Sequence, residues 1–299
     1  MENLMPVADE FSSKGHKVVM SYYLSRMNKN SNEVFHTKQN IGGYEDLISG
    51  IYNPDIVILT QPWWEYEKNV VKVCKERNIP FFVLEHSPQM LVYNKKASNY
   101  RKNIMGAKAH IMWGEESFNI MNDLGANSKL PILGSPRVEW AMKSCKDVNK
   151  ENLVVIYTTS WVYTSDNFYK KVKEIHSMVK EKGWKLEVQA HPRFHKNNDA
   201  FEYINKNKIP FHQNISTVDS VTLLKKSKIN IYDFPSSLMP LSCLFNNDIY
   251  STYCDSDIKE IKEYGKVHQS FIKNVSELIL AHKNENLFEK NNFIKNNIS

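Results

Sequence analysis

The chain has 299 residues, 41% hydrophobic and 12% aromatic, enough apolar material for two cores of about 130 to 150 residues each and too much for a disordered chain. Its formal charge of +6 is spread over many lysines, and Cys74, Cys145, Cys243 and Cys254 form no CxxC pair and meet no histidine at zinc-finger spacing, so neither a disulfide framework nor a structural metal is implied. No apolar run approaches the roughly 20 residues that span a bilayer and no signal-peptide pattern opens the chain, so the expectation is a cytoplasmic protein whose membrane contact, if any, is peripheral at the inner surface.

The first segment, Met1 to Phe11, reads as a helix with Leu4, Val7, Ala8 and Phe11 on one face and Gly15 as its stop. Strand-like runs follow at Lys17 to Tyr22, Asp55 to Thr60, Pro80 to Glu85 and Ala109 to Trp113. A second series runs through Leu153 to Thr158, Lys185 to Ala190, Lys228 to Tyr232 and Asp248 to Thr252. Between them, Glu65 to Arg77, Asn167 to Lys182 and Val218 to Lys226 carry apolar residues at helical spacing, and Leu278 to Ile298 suggests a closing helix. This βαβ alternation predicts an α/β fold of parallel sheets covered by helices on both faces.

The turn Leu133-Gly134-Ser135-Pro136 ends the first series, and the connection between halves is expected in Arg137 to Asn152. The expected organisation is a first domain over residues 1–140, a second over 141–280 and a tail or helix over 281–299, the two domains doubly wound and facing each other across a cleft. A doubly wound domain normally opens with a central strand. Here a helix stands first, so the expectation is an N-terminal domain without its first strand and glycine loop.

Candidate site residues cluster where predicted strands end, the edge at which open α/β sheets bind ligands. Val188 to Ala190 stops on His191-Pro192-Arg193, and Ile231-Tyr232-Asp233-Phe234-Pro235 stops on Ser236-Ser237. An imidazole, a bidentate guanidinium and two hydroxyls ahead of an apolar helix are groups that hold phosphate oxygens without a metal. Thr158, Thr159 and Ser160 end another strand and reach toward the same anion, with Trp161 as a cleft lining. Each has a plain alternative: a surface turn for His191 and Arg193, with His195 a weaker candidate, an ordinary helix cap for one serine, and common strand-end hydroxyls for the threonines. His86, in a loop fixed by Pro88, carries an imidazole, the kind of side chain that suits proton transfer near neutral pH. It can equally be a loop histidine bonded to backbone. Glu85 either orients it or points to solvent. Trp63 and Trp64 form a sugar-stacking platform or simply pack. The basic stretch Lys95, Lys96, Arg101, Lys102 and Lys108 can meet anionic lipid, a phosphate-rich polymer or nucleic acid, though a solvated lysine face is the simpler reading.

The ordered set Phe11-Ser12-Ser13-Lys14-Gly15-His16-Lys17-Val18, Leu84-Glu85-His86-Ser87-Pro88, Ile132-Leu133-Gly134-Ser135-Pro136-Arg137 and Ile156-Tyr157-Thr158-Thr159-Ser160-Trp161, with the two strand-end segments, resembles the GT-B glycosyltransferases. More narrowly it resembles CDP-glycerol glycerophosphotransferases and related capsule and surface-polysaccharide transferases. The resemblance implies two Rossmann-like domains and transfer of a glycosyl or glycerophosphoryl group from a nucleotide-diphosphate donor to a polysaccharide, teichoic-acid-like or lipid-linked acceptor. It implies His86 as base, His191 at the departing phosphate, and Arg193, Ser236, Ser237, Thr159 and Ser160 on the donor, with no cofactor, no metal and no nucleic-acid partner. The family places a carboxylate in the helix after the paired serines, where this chain has Leu241. Two other readings stay open on the same architecture: a UDP-N-acetylglucosamine 2-epimerase-like enzyme, and a non-catalytic nucleotide- or sugar-binding relative.

Overall fold

The computed structural model describes residues 4–22, 40–60, 62, 65–86, 106–145, 147–158, 166–191, 194, 196, 199–213, 215–233, 236, 238–252 and 273–282. The chain divides into two compact units, Met1–Ser144 and Cys145–Ser299. Among the described residues no helix is long and apolar enough to cross a membrane.

The first unit opens with α1 (Met5–Ser13), which carries Pro6 in its first turn and ends before Gly15 at φ +85°, a left-handed value that glycine adopts without a Cβ clash. β1 (Val19–Tyr22) pairs in parallel with β2 (Asn40–Gly43). A second sheet of three parallel strands, in the order β3 (Val57–Leu59), β4 (Phe81–Leu84), β5 (Ala109–Ile111), carries α2 (Tyr44–Ser49) and α3 (Glu65–Glu76) in its sequence. Leu47, Leu59, Val70, Cys74, Ile79, Phe81 and Val83 form its core. Burial there pushes the Cys74 thiol up to about 11, which keeps it protonated and unreactive at neutral pH. The Arg77 guanidinium donates to the carbonyls of Leu47 at 2.9 Å and Ile48 at 2.7 Å, satisfying acceptors that the end of α2 would otherwise leave open.

After β5, α4 (Glu115–Asp123) leads to a segment that returns beside β5 through parallel bridges Ala109–Lys129 and Met112–Ile132. α5 (Pro136–Ser144) then occupies the first half of the stretch expected to be a connection. The reason is local: Pro136 sits at the helix start, where its missing N–H costs nothing, and the Ser135 hydroxyl accepts from the Val138 N–H at 3.4 Å. The Gly-Pro pair is therefore a helix entrance.

The second unit is built on one six-stranded parallel sheet in the order β11 (Lys273–Asn274), β10 (Asp248–Ser251), β9 (Ile229–Tyr232), β6 (Leu153–Thr158), β7 (Lys185–Ala190), β8 (Phe211–Gln213). Every pairing in it is parallel. β6 lies centrally, and all six of its side chains are buried. Alternation then sorts its residues between two layers. Val154 and Ile156 join Val188, Ile229 and Ile231 in an apolar core against α6 (Asp166–Glu181), α7 (Asp199–Lys206) and the helical residues 275–282.

The opposite layer faces α8 (Thr217–Lys226) and α9 (Met239–Leu244) and is partly polar. Tyr157 and Tyr232 stack there with centroids 4.8 Å apart. The Tyr232 hydroxyl is 2.6 Å from the Ser242 Oγ, which also accepts from Asn230 Nδ2 at 3.2 Å, while the Ser227 hydroxyl donates to Asn230 Oδ1 at 2.7 Å. Gln189 Nε2 donates to the Ser220 Oγ at 2.8 Å. The bonded set Ser227, Asn230, Tyr232 and Ser242 ties α9 to β9 on this face. The doubly wound expectation therefore holds for this unit, with strand order reversing between β6 and β9.

Removing most of the Ile156 side chain leaves a cavity against the helical layer; Ile156→Ala is expected to lower unfolding free energy by about 3 kcal/mol in urea titrations. His176, on α6, is buried with Nδ1 2.9 Å from the Tyr203 hydroxyl, and burial, aided by Lys180, holds its pKa below the ordinary 6.5. The folded state thus favours the neutral ring, while the unfolded chain takes up the proton first as pH falls. Stability is then full above the unfolded value and declines below it. Urea midpoints followed from about pH 7.5 to about pH 5 should fall less steeply for His176→Gln than for the wild type.

Candidate functional site

In the second unit every strand's carboxyl end lies at one edge of the sheet, and the order reversal between β6 and β9 is the position at which open parallel sheets of this kind bind ligands. Thr158 ends β6 and Asp233 follows β9, so both stand at the reversal point. The Asp233 N–H donates to the Tyr157 carbonyl at 3.1 Å, and the Thr158 hydroxyl donates to Asp233 Oδ2 at 2.7 Å. Both side chains are largely buried, at 5% and 4% exposure. Thr158 was a sequence candidate; Asp233 was not given a role. The signal was present, since a carboxylate closes a strand that otherwise buries every side chain.

His191 is exposed immediately after β7. Its N–H donates to the Thr158 carbonyl at 2.8 Å, and its own carbonyl accepts from the Phe194 N–H at 2.8 Å. These bonds hold the His191 backbone at the rim, one strand from Thr158. Gln213, at the end of β8, donates from Nε2 to the Phe194 carbonyl at 3.1 Å.

Ser236 is half-buried on the other side of β6, three residues past Asp233. Its hydroxyl accepts from the Leu238 N–H at 3.2 Å, and its carbonyl accepts from the Met239 N–H at 3.0 Å. The serine pair does not open the helix directly: α9 begins at Met239 with Leu238 as the flanking residue, which makes no side-chain cap. Pro240 in the first turn fixes that later start. Leu241 is 4% exposed, so the position where the resemblance expects a carboxylate belongs to the core here.

In the first unit, His86 is half-buried at a bend after β4. Its neighbour Glu85 neither faces solvent nor is left without structural partners. It is 2% exposed, and its carboxylate accepts from the Trp113 N–H at 2.7 Å and the Ser117 hydroxyl at 2.6 Å. The Glu85 carbonyl accepts from Trp113 Nε1 at 2.7 Å. Glu85 thus ties the end of β4 to the loop after β5 and the start of α4, which fixes the backbone on which His86 sits.

Arg193, His195, Ser237, Thr159, Ser160, Trp161, Trp63 and Trp64 lie outside the described residues, as do Lys95, Lys96, Arg101 and Lys102; Lys108 is exposed. Two surface pockets of the second unit, of about 300 and 440 Å³, lie away from the rim. The smaller is lined by Trp184, Lys185 and Lys208 at the opposite edge of the sheet, and the larger by Tyr169, Lys173 and Tyr203 between α6 and α7. The rim is the better site because its groups converge on the strand-order reversal.

No protein-family model matches the chain, and no curated protein matches it. Solved structures do. A Listeria monocytogenes protein proposed to be a UDP-N-acetylglucosamine 2-epimerase shares 13% identity at TM-score 0.67, with 94% of this chain and 83% of that one covered. The UDP-GlcNAc 2-epimerase of Methanocaldococcus jannaschii, solved with UDP-GlcNAc and UDP, shares 13% identity at TM-score 0.65 over 94% of this chain and 88% of that one. The glycosyltransferase of kitacinnamycin shares 8% identity at TM-score 0.55 over 91% and 82%. These likenesses, with the parallel sheets above, establish an α/β fold of GT-B, Rossmann-like type.

Proposed function

We propose that the chain is an enzyme acting on a nucleotide-activated donor, holding the donor's diphosphate at the rim of the six-stranded sheet and transferring the attached glycosyl or glycerophosphoryl group to a polysaccharide or lipid-linked acceptor. The observation that carries this reading is the polar rim at the reversal between β6 and β9, where the Thr158 hydroxyl bonds Asp233, the Thr158 carbonyl accepts from the His191 N–H, and Ser236 follows three residues after Asp233.

The chemistry divides along that rim. A carboxylate accepts hydrogen bonds and repels phosphate, so Asp233 suits hydroxyls of the donor. His191 and Ser236 stand to either side and supply donors for phosphate oxygens, with Arg193 and Ser237 joining them in this reading. His191 lowers the barrier by donating to the phosphate oxygen that gains charge as the transferred group departs. Thr159 and Ser160 extend the same set of hydroxyls. His86 takes the proton of the attacking hydroxyl, a role separate from nucleotide affinity.

A second reading has its own support. Of the structural neighbours, several are described as UDP-GlcNAc 2-epimerases, and a buried carboxylate at the rim is a group that proton transfer at a sugar carbon can use. The two readings differ in whether an acceptor is needed.

Isothermal titration with UDP, CDP and GDP should show binding of at least one nucleotide, and no binding of any would refute both readings. Incubation with UDP-GlcNAc alone, followed by proton NMR, should leave the sugar unchanged for a transferase; accumulation of its 2-epimer would establish the alternative. His191→Ala is expected to slow turnover about 100-fold or more, with a smaller loss in nucleotide affinity.

His86 and Glu85 should separate cleanly. His86→Ala is expected to abolish transfer with unfolding free energy changed by less than about 0.5 kcal/mol. Glu85→Ala leaves the Trp113 N–H and Ser117 hydroxyl without their acceptor and should cost about 3 kcal/mol in thermal or urea unfolding. A stable Glu85→Ala protein would remove it from its bracing role.

A further inference from the structure

The edge of the six-stranded sheet opposite the rim is a basic surface, and we propose that it docks the protein on an anionic lipid bilayer. In a parallel sheet the amino ends of all strands gather at this edge, together with the ends of the preceding helices. Segments 147–152, 180–185, 206–210, 225–228 and 245–248 meet there and contain nine lysines against four carboxylates.

Side-chain contacts join these segments into one continuous face. Lys208 and Lys185 line the same pocket as Trp184. Lys228 Nζ lies 5.6 Å from the Trp184 ring centroid and donates to Asn152 Oδ1 at 2.6 Å. Lys150 Nζ donates to the carbonyls of Phe245 and Asn246 at 2.6 and 2.9 Å, which carries the face across to the loop before β10. Internal pairing leaves an excess of positive charge: Glu151 meets both Lys185 at 2.9 Å and Lys226 at 3.3 Å, and Asp147 meets Lys225 at 2.7 Å.

An apolar observation selects the partner. The exposed large hydrophobic residues of this unit, among those described, are Leu244 at 61% and Leu280 at 58%. Both lie on this same edge: Leu244 closes α9 just before the Lys150 contacts, and Leu280 precedes His282, whose Nε2 is 2.8 Å from Glu181 Oε2 at the end of α6. Lysines around a Trp with protruding leucines match the interface of a bilayer, where cations meet headgroups and apolar side chains enter the acyl boundary. A nucleic-acid surface is the weaker match, because those segments carry no arginine to fork onto phosphate or base edges.

The inference is independent of the donor chemistry proposed above. It is tested by flotation of the full chain with vesicles of phosphatidylcholine alone or with phosphatidylglycerol added. Binding is expected only to the anionic vesicles and is expected to weaken with salt. Lys180→Glu with Lys208→Glu should lower vesicle partition by at least about tenfold, while Lys170→Glu with Lys196→Glu, an equal charge change toward the other edge, should leave most of it. Leu244→Ser with Leu280→Ser should weaken vesicle binding although no charge has changed; matched thermal melts establish that each variant is folded. Equal binding to neutral vesicles, absence of binding to anionic ones, or equal loss in the Lys170/Lys196 variant would overturn the proposal. So would retention of a single-stranded DNA probe by a protein that fails to float.

Discussion

Strand β6 carries the constraint on which the second unit depends: it is hydrogen-bonded on both edges, to β7 and β9, and all six of its side chains are buried. A backbone in that position has no water to fall back on, so its N–H and C=O groups must pair with neighbouring strands in register. Register then decides which residue ends each strand at the rim. Leu153 aligns with Lys185 and Thr158 with Ala190, which brings His191 beside Thr158; Tyr157 aligns with Tyr232, which brings Asp233 to the same level. A slip of one residue would exchange the two layers and bury Glu187 and Gln189 in the apolar core, so the hydrophobic pattern itself sets the geometry of the rim.

Much of this was legible because buried parallel strands read as continuous apolar runs. Leu153 to Thr158 and Lys185 to Ala190 agree with the observed strands at both ends, and the three amphipathic runs agree with α3, α6 and α8 within a residue at each end. What escaped was short or weakly patterned. β8 is three half-buried residues, Phe211-His212-Gln213, at a sheet edge; β2 is Asn40-Ile41-Gly42-Gly43, with one apolar side chain; β11 is two residues long. Strands of this kind exist because a neighbour offers a ladder, and the sequence of the strand alone does not show the neighbour.

Strand ends were legible, and the polar contacts behind them were not. Strand ends could be found, so His191, Ser236 and His86 were placed at carboxyl edges. Burial of a carboxylate could not be. Glu85 follows Leu84 and precedes a histidine, which suggests an exposed pair, yet Trp113 and Ser117, 28 and 32 residues away, supply the donors that make its burial tolerable. Asp233 likewise depends on Thr158, 75 residues before it. A buried acid is specified by its donors, and donors distant in sequence leave no local pattern.

Parallel pairing also separates the two faces of the second unit by physics that owes nothing to either ligand. Because all six strands run the same way, loops leaving strands and loops entering them are held at opposite edges, about 20 Å apart across the six residues of β6. That exceeds the Debye length of about 8 Å at physiological ionic strength, so lysines at the entering edge contribute little through solvent to the potential at the rim. The proposed phosphate site would therefore depend on groups of the rim itself, and the basic edge can change its charge without retuning the rim. The exposed His191 and the buried Thr158–Asp233 pair stand at one edge of the sheet, and the lysines around Trp184 stand, electrostatically separate, at the other.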